Sequence, residues 1–143
     1  MKVSTKGRYA LRIMIDLAQS GEGEVVSLKD IARRQEVSAK YLELIISTLN
    51  KAGFVVSTRG KAGGYRLAKA PSDYTVGEIL KLTEGSLAPV ACLGTGESTC
   101  RRADRCEALP MWKQLDRIID AYLESVTLQN LIDQARDSGS CCV

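Results

Sequence analysis

Residues 27–52 run SLKDIARRQEVSAKYLELIISTLNKA. Ser27 is a good helix N-cap, and Asp30, three places on, puts a negative charge where a helix start favours one. The stretch predicts a helix over 28–35 that buries Leu28, Ile31 and Ala32. A turn follows at Glu36-Val37-Ser38, and then a second helix over 39–52, capped by Ser38 and closed by Gly53 at C′. Within the second helix Leu42, Ile45, Ile46 and Leu49 recur at the spacing of one inward stripe. Two short helices joined by a three-residue turn have the pattern of a helix-turn-helix.

Working outward, Tyr9 to Ser20 predicts a helix on the N-terminal side, with Ile13 and Leu17 on one face and Ala10 and Met14 beside them. On the other side, Phe54 to Arg59 is rich in strand formers, 60–64 is a glycine-rich turn, and Tyr65 to Ala68 returns, so a hairpin is expected. Pro71 breaks the chain. Thr75-Val76-Gly77-Glu78 is a capping box that opens a helix running to about Glu84, where Gly85 stops it. Residues 86–105 show no period. From Leu109 to Ser125 a long helix is expected, with an apolar stripe of Leu115, Ile118, Ile119, Tyr122, Leu123 and Val126. Thr127 caps a short last helix through about Gln134, and 137–143 reads as a loose tail.

The expected fold is therefore mainly α with a small β-hairpin: a winged helix-turn-helix plus a long C-terminal helix for dimerisation. Its expected divisions are a winged unit over 1–85, a cysteine-containing loop over 86–108, the long and last helices over 109–136, and a tail over 137–143. The stripe from Leu115 to Val126 is too broad for one small winged unit to cover, so a partner helix is expected on it.

The outward face of the second helix-turn-helix helix carries Lys40, Glu43, Leu44, Ser47, Thr48 and Lys51. Such a helix enters the DNA major groove. There Leu44 can lie against a thymine methyl, Ser47 or Thr48 can take a base edge or phosphate, and Glu43 can accept from cytosine N4. Arg59 and Lys61 at the hairpin tip, with Arg66 on the return strand, suit a narrow minor groove or phosphate. The candidate DNA contacts are Ser38, Lys40, Tyr41, Glu43, Leu44, Ser47, Thr48, Lys51, Arg59 and Lys61. The plainer alternatives are a helix packing unit with an ordinary hairpin, or a dimeric adaptor that binds protein.

Charge distribution agrees with an anionic partner. Residues 1–70 hold 13 Lys/Arg and 6 Asp/Glu, whereas 71–143 hold 7 and 11, so a half of +7 is joined to a half of −4. The chain has no histidine, no glycine-rich phosphate loop and no nameable nucleophile–base pair, so an enzyme is not expected. It has no apolar run of membrane-spanning length, and its opening lacks the apolar core of a signal peptide. A cytoplasmic protein is expected.

Five cysteines all lie beyond residue 91: Cys92, Cys100, Cys106, Cys141 and Cys142. Without a secretion signal, such grouping points to metal or redox chemistry rather than disulfides. Cys92, Cys100 and Cys106, spaced C-x7-C-x5-C, can close around a soft metal or an iron–sulfur cluster. Zinc and thiol-only redox sensing remain alternatives, and the adjacent pair at the tail reads as an unordered end.

The chain resembles the Rrf2-type bacterial regulators, the group of IscR, NsrR and CymR. Residues 2–11, Tyr41-Leu42-Glu43, residues 59–65 and Val76-Gly77-Glu78-Ile79 carry the likeness, which extends more loosely to the Trp112 region. The resemblance implies a homodimer on a pseudo-palindromic DNA operator, with the long helix crossing to the partner subunit. It also implies a cluster, most simply 2Fe–2S, on the three-cysteine loop. The IscR type adds a histidine three places after the third cysteine, where this chain has Leu109, and the NsrR type uses an acidic residue where this chain has Arg8. The fourth ligand is then open among Glu107, Asp104, a tail thiol, an acidic group of the other subunit and an exogenous ligand. Members without the trio sense through a protein partner.

Overall fold

Among the described residues, five helices start on a serine or threonine whose hydroxyl accepts a first-turn backbone N–H: Ser4, Ser27, Ser38, Thr75 and Thr127. The computed structural model describes residues 2–94 and 100–139. Its helices are α1 (Thr5–Gln19), α2 (Leu28–Gln35), α3 (Ala39–Lys51), α4 (Val76–Glu84), α5 (Leu109–Ser125) and α6 (Leu128–Ser138). Among the described residues one antiparallel hairpin, β1 (Val55–Thr58) with β2 (Gly64–Leu67), separates α3 from α4. The architecture is mainly helical with one small hairpin, as expected.

Besides one-residue shifts at the ends of α1, α3 and β1 and at both ends of β2, element ends differ from expectation in three places. α1 begins at Thr5 rather than Tyr9, because Ser4 accepts the Gly7 N–H at 3.1 Å and opens the helix a turn earlier. α6 runs to Ser138, so Asp137 and Ser138 are helical rather than tail; Gly139, at φ +54°, is the first residue beyond Gln134 that ends a helix. Phe54 precedes the hairpin because its N–H bonds the Leu49 carbonyl at 3.0 Å and closes α3.

The main core draws on almost every element. Ile13, Met14 and Leu17 of α1 meet Ile31 of α2, the Leu42, Ile45, Ile46 and Leu49 stripe of α3, Val55 of β1, Ile79 of α4 and Leu128 of α6. Each such side chain contributes about 1.5–3 kcal/mol when removed from water. α6 therefore folds back onto the N-terminal half. A second apolar group of Val76, Leu80 and Leu87 is covered by Leu123 and Val126 from the end of α5. Lys81 ties α4 to α5 by pairing with Asp120 and with Glu124 at 2.9 Å, and these two carboxylates hold its ammonium above the ordinary lysine value.

Candidate nucleic-acid interface and cysteine segment

The outward face of α3 is held in place from behind. Asp16 is 7 % exposed within the α1 face of the core and accepts from Arg34 Nε and Nη2 and from the Gln35 amide at 2.7 Å. These contacts clamp α2 to α1, and the Asp16 hydrogen bond holds the Arg34 guanidinium above its ordinary value. The Tyr9 ring meets the Tyr41 ring edge-on at 5.9 Å, tying α1 to α3.

With the stripe of α3 buried, Lys40, Glu43, Ser47 and Lys51 are exposed and Leu44 is 64 % exposed, an unusual setting for a large apolar side chain. Ser38 is exposed, and its hydroxyl accepts the Tyr41 N–H at 3.2 Å. Thr48 is half-buried and donates to the Leu44 carbonyl at 3.3 Å. Tyr41 is half-buried against Tyr9, so its ring is partly committed to packing.

β1 and β2 pair Val55 with Leu67 through Thr58 with Gly64. Tyr65 also exchanges two backbone hydrogen bonds with Val26, at 2.8 and 2.9 Å, which docks the hairpin on the segment entering α2. Gly64 permits this approach, since a Cβ there would collide with the Val26 backbone. Gly60 turns the tip at φ +107°, a conformation that disfavours side chains. Arg59 and Lys61 flank that turn and are exposed. Arg66 is half-buried and donates to the Leu67 carbonyl, away from the tip.

Sequence reasoning missed Asp16, Arg34 and Gln35, whose polar side chains read as ordinary helix surface. It also missed Tyr74, which is fully buried. A charged residue within the apolar period of α1 was the available signal for Asp16.

The three central cysteines are free thiols: Cys92, half-buried in a short 3₁₀ turn over Ala91–Leu93, Cys100, exposed, and Cys106, half-buried just after a second such turn over Ala103–Arg105. The Cys106 carbonyl accepts the Leu109 N–H at 3.2 Å, so this thiol stands at the entry to α5. Asp104 and Glu107 are exposed beside it, Leu109 is half-buried, and Arg8 is exposed on α1. Among the described residues no three Cys, Asp or Glu side chains converge as a ligand set. The donor chemistry of three free thiols nevertheless fits a soft-metal or iron–sulfur site. Cys141 and Cys142 lie outside the described residues.

On α5 the stripe divides. Leu123 and Val126 pack within the chain, Leu115 and Ile119 are half-buried, and Ile118 and Tyr122 are 55 % and 66 % exposed. Among the described residues no helix is long and apolar enough to cross a membrane.

Residues 3–134 match the Rrf2 family, described as an iron-dependent transcriptional regulator. The HTH-type transcriptional regulator IscR of Vibrio atlanticus is 39% identical over 132 residues, 92% of this chain and 75% of that protein. Among solved structures, T. potens IscR has a TM-score of 0.79 at 38% identity, covering 100% of this chain and 94% of its own. CymR (YrzC), the global cysteine regulator of B. subtilis, has a TM-score of 0.78 at 38% identity, covering 94% and 98%.

Proposed function

Since this chain belongs to the Rrf2 family of transcriptional regulators, DNA-binding proteins and not enzymes, we propose that it binds a pseudo-palindromic operator as a homodimer, with operator affinity set by a 2Fe–2S cluster on Cys92, Cys100 and Cys106. The observation that carries the DNA reading is the exposed face of α3 beside a basic wing tip. Leu44, Glu43 and Ser47 face out together, Lys40 and Lys51 stand at the two ends of the helix, and Arg59 and Lys61 flank the glycine turn. In this reading α3 lies in the major groove, Ser38, Tyr41 and Thr48 border the contact, and the wing takes the minor groove or phosphate.

Dimerisation through α5 is the natural use of Ile118 and Tyr122, which their own chain leaves in solvent. The winged unit, the cysteine segment and the C-terminal helices then have separate tasks: contact, sensing and pairing. A cluster bound there would be held by Cys92, Cys100 and Cys106 and would supply iron–thiolate bonds to this segment. The fourth ligand is not a histidine of this chain, which has none. The chain's own contribution is positional. The cysteine segment joins the end of α4 to the start of α5, so its order bears on how the two recognition helices of a dimer are spaced.

Gel shifts on operator and scrambled DNA test the interface. Affinity should fall steeply with salt as bound counterions are released. Arg59→Ala should weaken operator binding by about 1–3 kcal/mol if it reads a groove, and Lys51→Ala should weaken all sequences alike if it meets phosphate. Unchanged affinity in Arg59→Ala would remove the wing from the contact.

A further inference from the structure

The Tyr74 hydroxyl sits where the recognition helix ends, the wing leaves and the wing returns. It donates to the Phe54 carbonyl at 2.7 Å, ahead of β1, and accepts the N–H groups of Ala68 at 3.1 Å and Lys69 at 2.9 Å, just beyond β2. Phe54 in turn gives its own N–H to Leu49 of α3 at 3.0 Å. The ring is fully buried, edge-on to Phe54 at 5.7 Å, with the Lys69 ammonium 5.4 Å from its centre. A phenolic oxygen has one proton and two acceptor sites, so this one is fully used. A two-stranded hairpin is marginal by itself. Val55, Tyr65 and Leu67 pack the strands on the core and the Val26 bridge holds the outer end, while this joint is the polar anchor at the base of the wing.

We infer that the Tyr74 hydroxyl is a positioning group for DNA binding: it fixes the base of the wing to the end of α3, so that the tip and the recognition helix meet the operator as one rigid unit. Tyr74 touches no DNA in this arrangement. It acts through the angle at which Arg59 and Lys61 are presented, and so rests on the wing contact proposed above. The ring by itself serves the core, which Phe would fill equally well. The hydroxyl bridges both strand ends, and no core requirement calls for it.

Tyr74→Phe keeps the ring and the direct Ala68 N–H to Phe54 carbonyl bond at 3.2 Å, and removes the three hydrogen bonds of the hydroxyl. Losing one net hydrogen-bonded anchor should lower operator affinity about fivefold. In a double-mutant cycle the loss should shrink to less than about twofold in an Arg59→Ala background and persist in a Lys51→Ala background, because only the wing is misplaced. Backbone amide exchange should quicken across 57–66 while α1 and α2 keep wild-type protection. Equal losses in both backgrounds, unchanged wing exchange, uniformly faster exchange, or a Tyr74→Phe chain that does not fold would each overturn the inference. If Arg59→Ala by itself leaves affinity unchanged, the wing contact fails, and the exchange pattern still decides whether Tyr74 holds the wing.

Discussion

Glu36 occupies the left-handed region at φ +55°, alone among the described non-glycine residues. It ends α2 by giving its N–H back to Ala32 and Arg33, and the sharp turn into Val37 and Ser38 requires that conformation. A side chain there costs about 1–2 kcal/mol relative to a residue without Cβ. The glycine gain is offset in part by the greater freedom of the unfolded chain. Glu36→Gly should therefore raise stability by about 0.5–1 kcal/mol, seen as a higher melting temperature, with the turn geometry unchanged. A lower melting temperature would mean that the carboxylate itself supports the turn. That helix-turn-helix turn was legible in the sequence as a three-residue break, but its left-handed residue was not, because glutamate carries no propensity signal for it.

At the scale of elements, α5 was legible as a helix with both ends correct, because Leu109–Ser125 keeps its apolar period throughout. Which part of its stripe faces its own chain was not legible, since periodicity reports a face and not its partner. The structure gives Leu123 and Val126 to the second apolar group and leaves Ile118 and Tyr122 outside. The two ends of the stripe should therefore respond differently to charge. Ile118→Glu should leave a folded chain that sediments as a monomer, whereas Leu123→Glu should lose about 2–4 kcal/mol of folding stability. A folded wild-type monomer at micromolar concentration would refute the pairing role of α5. The α4–α5 tie through Lys81 has its own pH signature. Asp120 first and Glu124 second raise the Lys81 value in the fold, so its contribution is complete below the ordinary 10.5 and is lost as pH rises through the raised folded value. Urea midpoints of wild type and Lys81→Met should differ slightly at neutral pH, by under about 1 kcal/mol for so exposed a pair, and converge once the pH has passed the raised folded value. A difference that persists there would mean that the contact is not ionic.

For the whole molecule, the cysteine segment is the covalent route from the winged unit to α5, and α6 returns to pack on α1. A change of order in that segment therefore has two anchored ends to act on. Protein prepared anaerobically should be coloured by thiolate-to-iron charge transfer. Cys92→Ala, Cys100→Ala and Cys106→Ala should each abolish the colour, while Cys141→Ala and Cys142→Ala should keep it. Coloured and colourless preparations should differ in operator affinity by a coupling of about 1–3 kcal/mol. A colourless, iron-free wild type after reconstitution would favour zinc or thiol chemistry. Colour without an affinity difference would leave the cysteine site in place and deny it the role of switch.

The sequence by itself determined the helices, the hairpin, the basic tip and the outward face of α3. Each is written locally, in caps such as Ser27 and Thr75, in the 3.6-residue stripe of Leu42 to Leu49, and in glycines where the chain must turn. The tertiary structure alone decided what those pieces rest on. Leu128 of α6 enters the N-terminal core, Asp16 is buried under Arg34 and Gln35, and Tyr74 joins both strand ends of the wing. These contacts link residues far apart in the chain. A local pattern says that a side chain wants burial or a partner, but only the packed fold brings the partner within reach.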